Sequence, residues 1–407
     1  MRSDVEALVR SMLPVDWSIE SISKGQSLWA DFGSIYSLRC SSPDSEPSHQ
    51  LILKLVSPPT SGKSSQDEST LRKLYSYEIE QYFYSRLVPL MQKSAGQPIA
   101  VARCFGSTLA QRQSETSRKQ EPIALLLEDL RPRFPRSPAK RGVLDQTQVY
   151  AALRWLARFH GFWWRQLHSN DGQQLLREED LVLAPLEEVV KRQEEPQRKQ
   201  MSTVWANGGY TYLATRRKEY ANLKSPSDWS RLSDRIDTSS SSKASVAELV
   251  ASHLSSSSPS HAPFATLLHG DVKSENFFTS EDGQEAAFFD FQYVGVGMGA
   301  CDLAKLLTCS VSEEMLGWNS SSGATNADMC KGEEKMLRYY LDELKQAAGP
   351  GLEYDWELFK WHWELALVDW LRFQAGWGFW GATEWLEARV RGILDEPGWL
   401  EKLTTSI

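Results

Sequence analysis

Positive charge is in deficit along this chain: 45 lysines and arginines face 53 acidic residues, for a net charge of −8. A general nucleic-acid binder carries a basic domain or stripe to neutralise phosphates, so that class is disfavoured. Cysteine is scarce as well, with five in 407 residues, at 40, 104, 301, 309 and 330. An odd number without metal-type spacing fits neither a disulfide framework nor a zinc site, and points to a reducing compartment. The chain has no run of about 18 uncharged apolar residues to span a bilayer. Met1-Arg2-Ser3-Asp4-Val5-Glu6 has no apolar signal core, so no secretory leader is expected there. These absences predict a soluble, cytoplasmic protein that binds no nucleic acid; they leave its oligomeric state open. No internal repeat is present. The remaining composition, 41% hydrophobic and 24% charged, is that of a globular chain long enough for two subdomains.

The first part reads as strand-rich. Phe32 to Cys40 alternates, and Leu51-Ile52-Leu53-Lys54-Leu55-Val56 is an apolar strand with a single charge in it. Ser41 to Gln50 reads as a polar turn region and Ser57 to Ser69 as a second loop. A helix is expected from about Thr70 to Leu90. Strands follow over Ile99–Leu109 and Pro122–Leu127, the latter ending in Glu128-Asp129-Leu130 before Pro132, Pro135 and Pro138 break regular structure. The lobe boundary is placed there, dividing residues 1–130 from 131–407. The basic residues Arg131, Arg133, Arg136, Lys140 and Arg141 read first as a solvated loop.

Beyond it the pattern turns helical. Asp145 suits a helix cap ahead of Val149, Leu153 and Leu156. Ser239–Ser242 and Ser255–Ser258 read as mobile polar tracts, with a short helix between them. Asp302 suits a helix cap, and helices are expected near 328–347, 354–374 and from Thr383. Eight of the sixteen tryptophans fall between 356 and 399. Trp356, Phe359, Trp363, Leu367, Trp370 and Gln374 recur at helical spacing, which reads first as a core face.

The chemistry concentrates in Leu267-Leu268-His269-Gly270-Asp271-Val272-Lys273-Ser274-Glu275-Asn276, followed by Phe288-Phe289-Asp290-Phe291-Gln292. Each half is a short apolar run ending in polar groups that cannot stay buried alone. Two carboxylates and an amide on strand rims make a hard-oxygen site suited to magnesium, which is held by one or two carboxylates together with substrate phosphates.

A strand lysine, a helix with Glu78 and Glu80, an apolar strand ending in Glu128-Asp129-Leu130, then HGDxxxxN and DFQ: this order resembles the protein-kinase-like fold. More specifically it resembles the aminoglycoside phosphotransferase and choline kinase-like superfamily, and within it the ecdysteroid kinase-like (CHK kinase-like) family, over roughly residues 15–390. The resemblance implies a bilobal α+β protein, with a small β-rich N-lobe and a larger, mainly helical C-lobe. It implies an ATP- and Mg2+-dependent kinase acting on a hydroxyl of a small molecule. In that scheme Asp271 is the catalytic base, Asn276 and Asp290 hold magnesium, and Lys273 neutralises the transferred phosphate. Lys54 meets the α- and β-phosphates and is paired with Glu80, with Glu78 as the fallback. Backbone groups of Glu128 and Leu130 meet adenine. Asp302 braces the catalytic loop, a role compatible with a cap. His269 packs and orients that loop.

There are departures from the pattern. No GxGxxG is present; Gly25 and Gly33 flank a loop containing Trp29, so Gly25 is a weak candidate for cradling phosphate. The metal motif is DFQ and no APE-type segment follows, which disfavours a protein kinase. A pseudokinase that binds nucleotide without turnover is the alternative, although binding alone would not need Asp271. For the acceptor, the residues around Tyr210 and the helices near Asp369, Arg372 and Trp377 are candidates. The tryptophans suit either a bulky apolar alcohol or a cation held on ring faces.

Overall fold

The computed structural model describes residues 2–28, 31–43, 45–57, 67–93, 96, 98–109, 122–169, 176–194, 203–223, 228–237, 243–259, 261–319 and 324–405. Trp29 and the tract 239–242 lie outside them. The architecture is α+β, as expected. Helix α1 (Arg2–Met12) leads into strands β1 (Ser18–Ser27), β2 (Gly33–Ser42) and β3 (Ser45–Val56). With β4 (Cys104–Ser107) and β5 (Ile123–Glu128) these form an antiparallel sheet in the order β1-β2-β3-β5-β4. The expected turn over 41–50 is corrected: β2 and β3 are one long hairpin, paired through Cys40↔His49 and Arg39↔Gln50. The expected strand 99–109 shrinks to four residues.

Period-two alternation gives the sheet its two faces. Leu51 and Leu53 join Leu38, Cys40, Ala124 and Leu126 in a core closed by Val5, Val9 and Met12 of α1. Residues 52, 54 and 56 therefore look the other way, where Val56 packs on Tyr77 and Lys54 Nζ lies 5.4 Å from the Tyr77 ring. Tyr77 belongs to helix α2 (Glu68–Tyr82), capped by Asp67, whose carboxylate accepts from Thr70 N. It continues through one wide π turn (Phe83–Leu87) into α3 (Val88–Lys93).

The rest is mainly helical: α4 (Gln146–Leu167), α5 (Pro185–Glu194), α6 (Arg217–Asn222), α7 (Val246–Leu254), α8 (Ala300–Ser310), α9 (Glu313–Leu316), α10 (Lys331–Ala348), α11 (Trp356–Trp377), α12 (Thr383–Asp395) and α13 (Trp399–Thr405). Three short ribbons complete it: β6 (Arg235–Asp237) with β7 (Lys243–Ser245), β8 (Thr266–Leu268) with β11 (Gly295–Gly297), and β9 (Phe277–Thr279) with β10 (Ala286–Phe288). Asp145 caps α4 in a reciprocal box with Gln148. The second serine tract is not loose: Ser256 donates its Oγ to Ala206 O and its N to Asn207 Oδ1. Phe359, Trp363, Leu367, Trp370 and Gln374 are buried, as the spacing predicts, whereas Trp356 is only partly so; Trp361, Trp385 and Trp399 are core residues too, but Trp377 is 49% exposed. Buried indoles generally find acceptors: Glu333 takes Trp363 Nε1 (2.8 Å) and Trp385 Nε1 (3.3 Å) together with Arg389 Nε (2.9 Å), whereas Trp370 Nε1 meets none among the described residues.

Three histidines meet where α7, α11 and α13 converge. His253 bonds Leu403 O, His261 bonds His253 O, and His362 bonds the Tyr354 hydroxyl through Nδ1, while its Nε2 has no partner among the described residues. Burial lowers the pKa of all three, that of His362 to about 2 with His261 contributing. The folded chain thus keeps His362 neutral, while the unfolded chain takes up a proton as pH falls below about 6.5. Stability falls with pH by about 1.4 kcal/mol per unit for such a histidine well below that pKa. Urea unfolding between pH 6.5 and 5 should therefore show a falling midpoint, and His362→Phe should flatten the slope.

Candidate functional site

Lys54 reaches across from β3 between two carboxylates. Its Nζ lies 2.6 Å from Glu80 Oε2 on α2 and 2.8 Å from Asp290 Oδ1, which follows β10. Burial works against the ammonium, but Asp290 and Glu80 hold its pKa above the ordinary lysine value. Burial also pushes the Glu80 carboxyl up and Lys54 draws it back; at 2.6 Å the charged pair is the arrangement held. Glu78, the fallback, instead faces Arg192 at 3.9 Å.

The loop after β8 carries the second cluster. Gly270 has φ +88°, and a Cβ there would meet Tyr293 O at 2.2 Å, so only glycine fits. The Asp271 carboxylate takes two donors on one oxygen: Lys273 Nζ at 2.9 Å and Asn276 Nδ2 at 3.1 Å, both to Oδ2. No donor meets Oδ1 among the described residues. Burial raises the Asp271 pKa, but the charge and hydrogen bond of Lys273 outweigh it and hold the group below the usual carboxylate range. It is therefore ionised at neutral pH. Asn276 Nδ2 also donates to Asp271 O (2.8 Å), so its amide nitrogen is spent and its carbonyl oxygen is left as a ligand. Asn276 O in turn accepts from Phe289 N (2.9 Å), stitching this loop to the one bearing Asp290. Asp290 adopts φ +67°, a strained conformation for a residue with a Cβ, of the kind that clusters at working sites. The oxygens of Asp290 and Asn276 are hard ligands, and this donor set fits a magnesium ion.

Asp302 is fully buried beneath the loop. The expectation that it caps its helix is corrected: Gly299 is the N-cap of α8 and Asp302 sits inside the first turn. There its Oδ2 accepts from His269 N (2.7 Å) and its Oδ1 from Gly270 N (2.9 Å). His160 Nε2 lies 3.2 Å from Oδ2, and Tyr340 Oη 2.7 Å from His160 Nδ1. Burial raises the Asp302 pKa, and the bond and charge of His160 bring it below the ordinary value. His269 bonds Phe289 O through Nε2 (2.9 Å), while its Nδ1 accepts from Asp271 N (3.3 Å), which fixes a neutral Nε2–H tautomer. It therefore orients both loops, as expected. The ring of Phe291 stacks on Phe83 (4.0 Å) and lies 4.6 Å from His269, joining the π turn after α2 to the two loops.

Lys305 escaped the sequence reading. One helical turn beyond Asp302, its Nζ donates to Gly270 O (2.8 Å) from a buried position. An i, i+3 Asp–Lys pair in an amphipathic helix is too common to single out. His160 was visible only as part of a helix face.

The remaining candidates lie along the sheet. Gly25 sits in β1 at an irregularity in its pairing, against Ile35 O, and Ile35 pairs with Lys54. It is thus two strands from the lysine, about 10 Å at the usual spacing. The Glu128 amide is engaged by Arg103 O (2.8 Å), whereas no partner meets the buried Leu130 amide among the described residues. The basic loop reads as local pairing: Arg131 with Asp129 (2.6 Å) and Arg133 with Glu128 (3.3 Å).

Residues 37–348 match the profile of the Ecdysteroid kinase-like family. The chain belongs to that family, and its bilobal α+β fold is of the protein-kinase-like kind. No curated protein matched the chain in sequence. Similar solved structures include a putative aminoglycoside phosphotransferase from Ralstonia eutropha JMP134, with 12% identity, 92% of this chain and 88% of that one covered, and a TM-score of 0.42. Choline kinase from Cryptosporidium parvum Iowa II shows 11% identity, 95% and 91% coverage and a TM-score of 0.40. An amicoumacin kinase in complex with AMP-PNP and Ca2+ shows 14%, 99%, 96% and 0.34. Among the described residues no helix is long and apolar enough to cross a membrane.

Proposed function

We propose that the protein is an ATP- and Mg2+-dependent kinase that phosphorylates a hydroxyl group of a small molecule, with residues 1–130 as the nucleotide-binding lobe and 131–407 as the catalytic and acceptor-binding lobe. The observation that carries this reading is the bridging of Glu80 and Asp290 by Lys54 beside an ionised Asp271. Family membership supports it. Asp271 accepts the acceptor hydroxyl's proton on Oδ1 while Lys273 and Asn276 fix Oδ2. The oxygen so freed bonds to the γ-phosphorus as the bond to the β-phosphate oxygen breaks, leaving ADP. Lys54 holds the α- and β-phosphates and Lys273 faces the moving phosphoryl group, so that charge is neutralised where it develops. Magnesium, held by Asn276 and Asp290, supplies further neutralisation of the phosphates. The Leu130 amide and the Glu128 carbonyl take the adenine edge, and Gly25 borders the phosphates from β1. A cytoplasmic setting, rich in ATP, suits this chemistry.

ADP release by the purified protein, with and without a library of hydroxylated metabolites, tests the proposal. Acceptor-dependent ADP release is expected; tight Mg·ATP binding with no turnover on any member would favour a nucleotide-binding pseudokinase. Asp290→Ala should weaken nucleotide binding roughly tenfold or more in magnesium and much less in EDTA, as titration calorimetry would show.

A further inference from the structure

Beside the catalytic loop, on the side of the helical lobe, stands a group of aromatic rings whose centre already holds a cation of the protein's own. Tyr210 is tied to the loop by its amide, which donates to Gly270 O (2.9 Å). Its ring meets those of Tyr293, Phe373 and Trp377 edge-on, at centroid distances of 4.8, 5.8 and 6.4 Å. Trp377 is half exposed, so the group runs from the residue next to Asp271 out to solvent. Over the Tyr210 ring, at 3.6 Å, lies the guanidinium of Arg216, which is also 5.7 Å from the rings of both Phe373 and Trp377. Its Nε is fixed by Tyr210 O (2.7 Å). Arg216 is 0% exposed, yet neither terminal nitrogen has a hydrogen-bond partner among the described residues. The carboxylate facing it, Glu219, makes only an ion-pair contact at 3.5 Å.

Aromatic faces attract cations through the ring quadrupole, and a quaternary ammonium is the ligand such a group ordinarily suits. Here the attraction is satisfied internally by a group that cannot lose its charge. A second cation would meet the guanidinium at short range and low dielectric, where like charges repel strongly. Unsatisfied N–H groups add a pull in the opposite sense, toward a hydrogen-bond acceptor with lone pairs to offer. Building on the kinase reading above, we infer that Arg216 is a specificity-determining residue: it sets the acceptor site against cationic alcohols and in favour of neutral or anionic ones, whose apolar body lies along Tyr210 and Trp377. Of the two acceptor classes that the tryptophans left open, the cation is the one rejected.

Two measurements on the full chain test this. Tryptophan fluorescence is quenched with iodide and with caesium at matched ionic strength, and the difference between wild type and Trp377→Phe isolates Trp377. With each ion's quenching of free N-acetyltryptophanamide as the reference, since iodide is intrinsically the stronger quencher of indole, iodide should quench Trp377 roughly threefold or more above caesium. The preference should persist in Arg217→Gln/Lys218→Gln, which removes the exposed cations nearby, and shrink in Arg216→Gln. Equal quenching by the two ions, or a preference lost in Arg217→Gln/Lys218→Gln, overturns the inference without need of the Arg216 variant, should that variant not fold. In the second measurement, kcat/KM is compared for choline, its uncharged carbon isostere 3,3-dimethylbutan-1-ol, and 2-hydroxyethanesulfonate. Choline should be the poorest by roughly tenfold or more; choline equal to or better than the isostere overturns the inference while leaving the kinase reading intact. Absence of turnover on any alcohol counts against the kinase reading instead, and the quenching result then decides the charge preference alone.

Discussion

Asp271→Asn is expected to lower kcat by about 10²- to 10⁴-fold, the usual contribution of a positioned general base, while the Kd for Mg·ATP stays within about twofold. The substitution keeps an oxygen and the approximate volume, so Asn276 and the loop backbone retain their partners. What it removes is the negative charge that Lys273 holds in place. An amide cannot accept the hydroxyl proton. Single-turnover ADP formation with a saturating acceptor, paired with calorimetric nucleotide binding, separates the two effects. Near-normal turnover in the variant would show that Asp271 is not the base. Because the Asp271 pKa lies below the usual range, the wild-type rate should not depend on this group at neutral pH. The acid limb of the pH profile should lie below about pH 4 if it is seen at all.

The sequence made some of this legible and hid the rest, for reasons that differ by residue. Lys54 stood out because a lone charge in an apolar strand demands a partner, and alternation put it on the face opposite Leu51 and Leu53. Its partner on α2 was narrowed to two glutamates two positions apart, which lie on nearly opposite sides of a helix, and the family resemblance favoured Glu80; with Tyr77 and Phe83 packed inward, Glu80 reaches Lys54 while Glu78 faces Arg192. Asp271, Asn276 and Asp290 were visible because short apolar runs end in polar groups. For Asp302 the family resemblance implied a brace, while the local sequence on its own read as a helix cap. A capping residue and a buried brace share the same sequence position, at the start of a helix, and only the tertiary contacts to His269 and Gly270 tell them apart. The β2–β3 hairpin was missed between 45 and 50 because serine, proline and histidine have low strand propensity, which sheet pairing overrides. Arg216 carried no signal: an Arg-Arg-Lys run reads as surface charge, yet its first member is buried and its neighbours Arg217 and Lys218 are exposed.

Asp302→Ala is expected to produce the largest loss of stability of any substitution near the site. It removes the acceptor of His269 N and Gly270 N and the partner of His160 Nε2, in a place with no exposure to solvent. Each buried donor left without an acceptor costs about 1–3 kcal/mol, so three of them amount to roughly 3–9 kcal/mol, against a total folding stability of about 5–15 kcal/mol. Urea unfolding at pH 7 measures this. The sign with pH follows from the lowered pKa of Asp302. The carboxylate contributes stability above the unfolded-state pKa near 3.9, and that contribution is lost as pH falls through the lower folded value. The difference in stability between wild type and variant should accordingly be constant from pH 7 to about 5 and shrink at more acid pH. Activity should fall too, through displacement of Asp271 rather than loss of its charge, so the variant should lose nucleotide-saturated kcat while retaining the nucleotide Kd. A variant as stable as the wild type would mean that the loop backbone finds other partners, and that the fold does not depend on the buried acid to hold Gly270 and Asp271 in place.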